Sequence, residues 1–87
     1  MTEYYNNFTD ADDFVDCVDR GCEIEFLYAG KHYGIGMGED SKFYILEVNN
    51  YDSEKEYEYA KDILTYPIGN KTIGDILQHM KVIDRSF

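Results

Sequence analysis

The sequence predicts an α+β fold, with helices laid over one face of a small antiparallel sheet. Three observations lead there. Apolar residues follow a helical spacing up to about residue 20; from Cys22 they alternate through two segments and then fill a third, the three divided by glycine-bearing turns; and helical spacing returns after Ser53. The predicted element order is α-β-β-β-α-α, with a short final strand at Val82-Ile83 left open. No repeat, low-complexity tract or linker divides the 87 residues, so residues 1–87 read as a single domain with 1–8 as a flexible tail. Leu, Ile, Val and Phe supply about a quarter of the chain, enough for a modest core.

Each element has its own signal. Phe8 can staple onto a helix over residues 9–20, which Thr9 or Asp10 can cap. Ala11, Phe14, Val15 and Val18 form its apolar stripe, and Arg20-Gly21 supplies a cation and a left-handed stop. Cys22 to Tyr28 alternates, with Ile24, Phe26 and Tyr28 on one face and Glu23 and Glu25 on the other. Ala29-Gly30-Lys31 turns the chain into His32–Met37, where Tyr33, Ile35 and Met37 face inward and His32, Gly34 and Gly36 outward. Gly38 to Lys42 makes a second turn. Phe43 to Val48 is a third strand, apolar on both faces. Asn49 to Asp52 breaks the pattern, and Ser53 with Glu56 reads as a capping box for a helix over about 54–65. A turn-rich connector follows (66–71). Thr72 then caps a last helix with Ile73, Ile76, Leu77 and Met80 as its stripe.

Charge narrows the function. Eighteen acids against eight bases give a net of −10. Such a chain is a poor direct ligand for nucleic acid, since phosphate affinity comes from Lys and Arg, and a poor ligand for anionic membranes. No basic and apolar leader is visible at residues 1–7, no apolar run is long enough to span a bilayer, and Cys17 and Cys22 are too few for a disulfide scaffold. A cytoplasmic protein with two reduced thiols is the expectation.

No motif carries chemistry. Gly34-Ile35-Gly36-Met37-Gly38 is neither a dinucleotide fingerprint nor a P-loop, and no helix follows it to hold a phosphate. Counted as a calcium loop from Asp10, the positions that need glycine and glutamate hold Val15 and Gly21. A Cys-x4-Cys pair without nearby histidine does not make a zinc site. His32 and His79 stand far apart, and Ser41, Ser53 and Ser86 occupy a turn, a cap and a tail. The expectation is a non-enzyme with no cofactor and no metal.

The segment Glu23-Ile24-Glu25-Phe26-Leu27-Tyr28 with Gly30-Lys31 and Tyr33, and the later Ile68-Gly69-Asn70-Lys71-Thr72-Ile73 with Asp75-Ile76-Leu77, resemble uncharacterised small acidic α+β proteins of Gram-positive bacteria and their phages. The resemblance covers roughly residues 10 to 83. It implies an intracellular α+β domain and carries over no functional residue.

What remains is the placement of the acid. Seven carboxylates (Asp10, Asp12, Asp13, Asp16, Asp19, Glu23, Glu25) stand against one cation, Arg20, between residues 10 and 25. Asp12–Asp16, Asp13–Asp16 and Asp16–Asp19 are like-charged helical neighbours, each costing roughly 0.2–0.5 kcal/mol. Asp19 also opposes the negative end of the helix dipole. The bland explanation is a solvated, solubilising face. The sharper one makes Asp12, Asp16, Asp19, Glu23 and Glu25 a partner-binding surface that imitates a phosphate backbone, with Tyr4, Tyr5, Tyr51, Tyr57 and Tyr59 near the acidic segments as candidate interface anchors, of which Tyr57 is expected to point into the core instead. On that reading the chain occludes a basic, nucleic-acid-handling protein, as phage inhibitors of restriction or CRISPR nucleases and immunity proteins against nuclease toxins do at similar size and charge. The rival is a small assembly subunit that homodimerises through the outer sheet face bearing Gly34 and Gly36.

Overall fold

The computed structural model describes residues 7–86. Helix α1 (Ala11–Asp19) leads into strands β1 (Glu23–Tyr28), β2 (Lys31–Met37), β3 (Phe43–Glu47) and β4 (Asn50–Tyr57). A 3-10 helix (Ala60–Thr65), a hairpin of β5 (Pro67–Ile68) and β6 (Lys71–Thr72), the four-residue helix α2 (Ile73–Ile76) and strand β7 (Lys81–Ser86) complete the chain. The main sheet has the order β4-β3-β2-β1-β7, antiparallel throughout. The architecture is thus mainly β, a five-stranded sheet with a separate two-stranded one, and the predicted α-β-β-β-α-α order is overturned.

The first half follows the expected chemistry. Asp10 caps α1, its Oδ1 accepting the Asp13 N–H at 2.8 Å. At the other end Gly21 takes φ +83°, and the N–H groups of Gly21 and Cys22 reach the carbonyls of Val18 (3.0 Å) and Cys17 (3.2 Å). That is a Schellman motif, and Cys17 and Cys22 sit at the two positions that usually share its hydrophobic contact. The Cys-x4-Cys spacing is therefore a helix stop. In the first hairpin Tyr28 opposes Lys31 across Ala29 (φ +52°) and Gly30 (φ +78°), a two-residue turn of the type that matches strand twist.

The second half departs from expectation. The segment expected as a break and then a helix over 54–65 is instead β4 followed by the 3-10 helix. The cause lies in β3, whose free edge leaves backbone groups to be paired. Ser53 does not cap a helix. Its hydroxyl accepts the Glu47 N–H at 2.7 Å and donates to the Asn50 carbonyl, bridging the irregularity between the two strands. The last helix shortens to α2, with Thr72 as its cap and Asp75 completing a capping box. The connector at 66–71 forms the small hairpin, with Gly69 at φ +63°. Val82-Ile83 belongs to a full strand of six residues that pairs with β1.

One side of the sheet is dry. Ile24, Phe26, Tyr33, Ile35, Phe43, Ile45 and Val82 are buried with Phe14 and Val18 of α1, Ile63 of the 3-10 helix, and Ile73, Ile76 and Leu77 around α2, in a single cluster. Phe26 stacks on Tyr33 with ring centroids 5.1 Å apart. Met37, expected on this inner face as a core residue, is 38% exposed, because its strand runs past the end of α1. Tyr28 and Leu64 are only partly buried. Residues 1–6 of the expected tail, with Tyr4 and Tyr5, lie outside the described residues. The rest of that segment is no tail: Phe8 is buried edge-on against Phe14, and the Asn7 side chain accepts the Val82 N–H at 2.8 Å.

Candidate functional site

The seven carboxylates near the N-terminus divide into three groups. Asp10 and Asp13 are structural. Besides its cap role, the start of α1 is tied down by Asp13, whose Oδ2 accepts the Thr9 N–H and whose Oδ1 lies 3.0 Å from Arg85 Nη2. Hydrogen bonding by the Arg85 guanidinium, then by Thr9, holds the Asp13 carboxyl below the usual carboxylate range. Arg85 in turn lies 4.2 Å over the Phe8 ring. The sequence concealed this pairing, because the partners stand 72 positions apart.

Asp12, Asp16 and Asp19 form the second group, all exposed on the solvent side of α1. Asp16 meets Arg20 at 3.1 Å. Among the described residues, no ion pair engages Asp12 or Asp19.

Glu23 and Glu25 make the third group, and the structure separates them from the helix. They alternate with Ile24 and Phe26, whose face α1 covers, so their carboxylates project from the opposite side of the sheet. The five predicted binding residues therefore form two surfaces rather than one. On its face Glu25 keeps Oε1 at 2.9 Å from His32 Nε2, and it stands directly opposite Asp84 of β7. Like charges placed directly opposite are destabilising.

Glu23 and Glu25 also line a shallow groove of about 220 Å3 that residue-by-residue motif searching did not single out. Gly34 forms its floor, and Tyr44, Leu46 and Val48, all half-buried, form its far wall. Its sequence signals were a third strand apolar on both faces and a neighbouring strand with glycine at alternate positions. Tyr44 lies over Gly36, where an added Cβ would stand 2.5 Å from the tyrosine hydroxyl. Gly34 has no such cover.

Among the described residues, nothing else resembles a reactive centre. Burial, and then the neighbouring Cys22, push the Cys17 thiol up to about 11, so it stays protonated and a poor nucleophile at neutral pH. Among the described residues, no three His, Cys, Asp or Glu side chains converge as metal ligands, and no helix is long and apolar enough to cross a membrane. No family model matches the chain, and neither a curated protein nor a solved structure matches it.

Proposed function

We propose that this chain is a non-enzymatic, cytoplasmic, acidic binding protein that occludes a basic nucleic-acid-handling partner. One observation carries the reading. The acids with structural work, Asp10 and Asp13, are distinct from Asp12, Asp16 and Asp19, which stand in solvent as like-charged neighbours at a cost to their own helix, with the exposed Asp16–Arg20 pair as their one ion pair among the described residues. A row of three exposed carboxylates against one local cation keeps a net negative charge, which attracts the groove that another protein uses for phosphates and accelerates encounter with that groove. Small phage inhibitors of nucleases and nuclease-immunity proteins, similar in size and charge, act in this manner.

The test is affinity capture from host lysate followed by stopped-flow association with the captured protein. Replacing Asp12, Asp16 and Asp19 together with Lys should leave far-UV dichroism intact. Asp12–Asp16 and Asp16–Asp19 stay repulsive on sign reversal, Asp13–Asp16 turns attractive, and the Asp16–Arg20 attraction turns repulsive, so the opposing changes leave the helix within a few tenths of a kcal/mol. Association should slow sharply, most of all in about 50 mM salt, where the Debye length still exceeds 10 Å. A variant that associates at the parental rate there, or captured proteins without a nucleic-acid site, would sink the reading.

A further inference from the structure

The face of the sheet that carries Glu23 and Glu25 combines three features that a solubilising surface does not need. First, it is concave and partly apolar: the groove over Gly34, walled by Tyr44, Leu46 and Val48, holds about 220 Å3. That is room for one long side chain, below the size of pockets that enclose a drug-sized ligand. Second, its rims are acidic on both sides. Glu23 and Glu25 line it on β1, with Asp84 of β7 opposite Glu25 one strand further out, and Glu56 of β4 stands opposite Tyr44. Third, its floor is bare without structural cause. Gly34 sits in ordinary strand backbone, and an added Cβ would meet only Val48 Cγ2, at 3.9 Å. A glycine inside a strand weakens it and often marks close approach by another group.

We infer that this groove receives an arginine side chain from a basic protein partner, with the methylenes over Gly34, Leu46 and Val48 and the guanidinium between the Glu23 and Glu25 carboxylates beside the Tyr44 ring. Arginine suits the chemistry better than lysine. Its planar fork pairs with carboxylates through two hydrogen bonds and stacks on aromatic faces, whereas an ammonium is a strongly hydrated point charge. A cation here also relieves the repulsion between Glu25 and Asp84. A second copy of this chain is the poorer occupant, because it would bring acidic rims against acidic rims. The assignment rests on the reading of the chain as a binder of basic proteins, and it names the contact that gives such binding its selectivity.

The test uses two blocked hexapeptides of equal charge, hexa-arginine and hexa-lysine, in amide chemical-shift titrations of the whole chain. Hexa-arginine should bind at least fivefold more tightly, with shifts concentrated at residues 23–25, 34–36 and 44–48. In Gly34→Val the new Cβ meets only Val48 Cγ2, at an ordinary contact distance of 3.9 Å, and the added methyl groups fill the floor, so the variant should melt near or above the parental temperature while losing that preference. Glu23→Gln, at an exposed position, should weaken hexa-arginine several-fold and guards against a folding defect in the first variant. Equal affinities with shifts spread over every acidic surface, unchanged preference in both variants, or a salt-insensitive dimer that covers the groove would each overturn the inference. The two proposals fail separately. If the triple helix variant loses the captured partner while Gly34→Val keeps both partner and peptide, the groove assignment falls and the acidic-binder reading stands. If the parent binds neither peptide nor any basic protein, both fall.

Discussion

Ala29 is held in the left-handed region at φ +52°, where its methyl group crowds the following carbonyl. Gly30, next to it at φ +78°, has no Cβ to crowd. Two consecutive positive φ values define the turn between Tyr28 and Lys31, and Asn-Gly is the pair that such turns prefer. Ala29→Asn should therefore stabilise the protein by about 1 kcal/mol, which in a domain of this size raises the thermal midpoint by roughly 4–8 °C. Calorimetry decides it; an unchanged or lowered midpoint would mean that this turn is not the one formed. The same local logic explains Cys17 and Cys22. Their spacing is that of a helix stop, and burial keeps them as small apolar side chains.

At the scale of elements, α1 is held to the sheet by packing and by the Asp13–Arg85 pair, with the two side chains 28% and 14% exposed. Asp13 titrates below its unfolded value, so its contribution is complete above the ordinary carboxylate range and is lost as pH falls through that range toward the depressed folded value. Asp13→Asn should cost about 1–2 kcal/mol at pH 7, as expected for a partly buried, charge-assisted hydrogen bond. Urea titrations of parent and variant should differ by a constant amount above the ordinary carboxylate range and converge progressively as pH falls below it. A gap that persists at acid pH would assign the effect to packing. The elements also show what a sequence can reveal. α1, β1 and β2 were legible because each buries one face, so that apolar residues recur at 3.6 or at two, and β3 because a short apolar run stands between turn residues. β4 was not. It lies at the sheet edge with six of its eight residues exposed, so no alternation survives, and a local capping signal at Ser53 pointed to a helix. Tertiary pairing with β3 overrode that signal. The candidate site was half legible: the alternation of Glu23 and Glu25 with Ile24 and Phe26 already places them away from α1. What joins Gly34 to Tyr44, Leu46 and Val48 is the register between β2 and β3, which no single strand displays.

At the scale of the whole molecule, the strand that comes last in sequence lies beside the strand that comes first. β7 pairs with β1 along most of its length, shifts register between Glu25 and Phe26, and buries Val82 in the core. It also brings Arg85 to Asp13 and the Val82 N–H to Asn7. Removing residues 81–87 opens an edge of β1 and leaves Phe26 and Phe14 without one wall. The truncated chain should lose its cooperative thermal transition, with near-UV dichroism collapsing at 25 °C. Retention of a sharp two-state melt would show that the meander and α1 suffice alone.

That arrangement sets an order of events for a chain made from its N-terminus. α1 and β1–β4 emerge from the ribosome with β1 still open on one side, and they must wait, unsealed, until residues 81–86 have been synthesised. Contacts so distant in sequence form slowly, and an unpaired inner strand recruits strangers in the interval. The acidic charge crowded into residues 10–25 leads directly into that open strand along the chain, so like charge opposes the approach of two nascent copies at the segment most exposed to mispairing. The charge has work to do before the protein has finished folding.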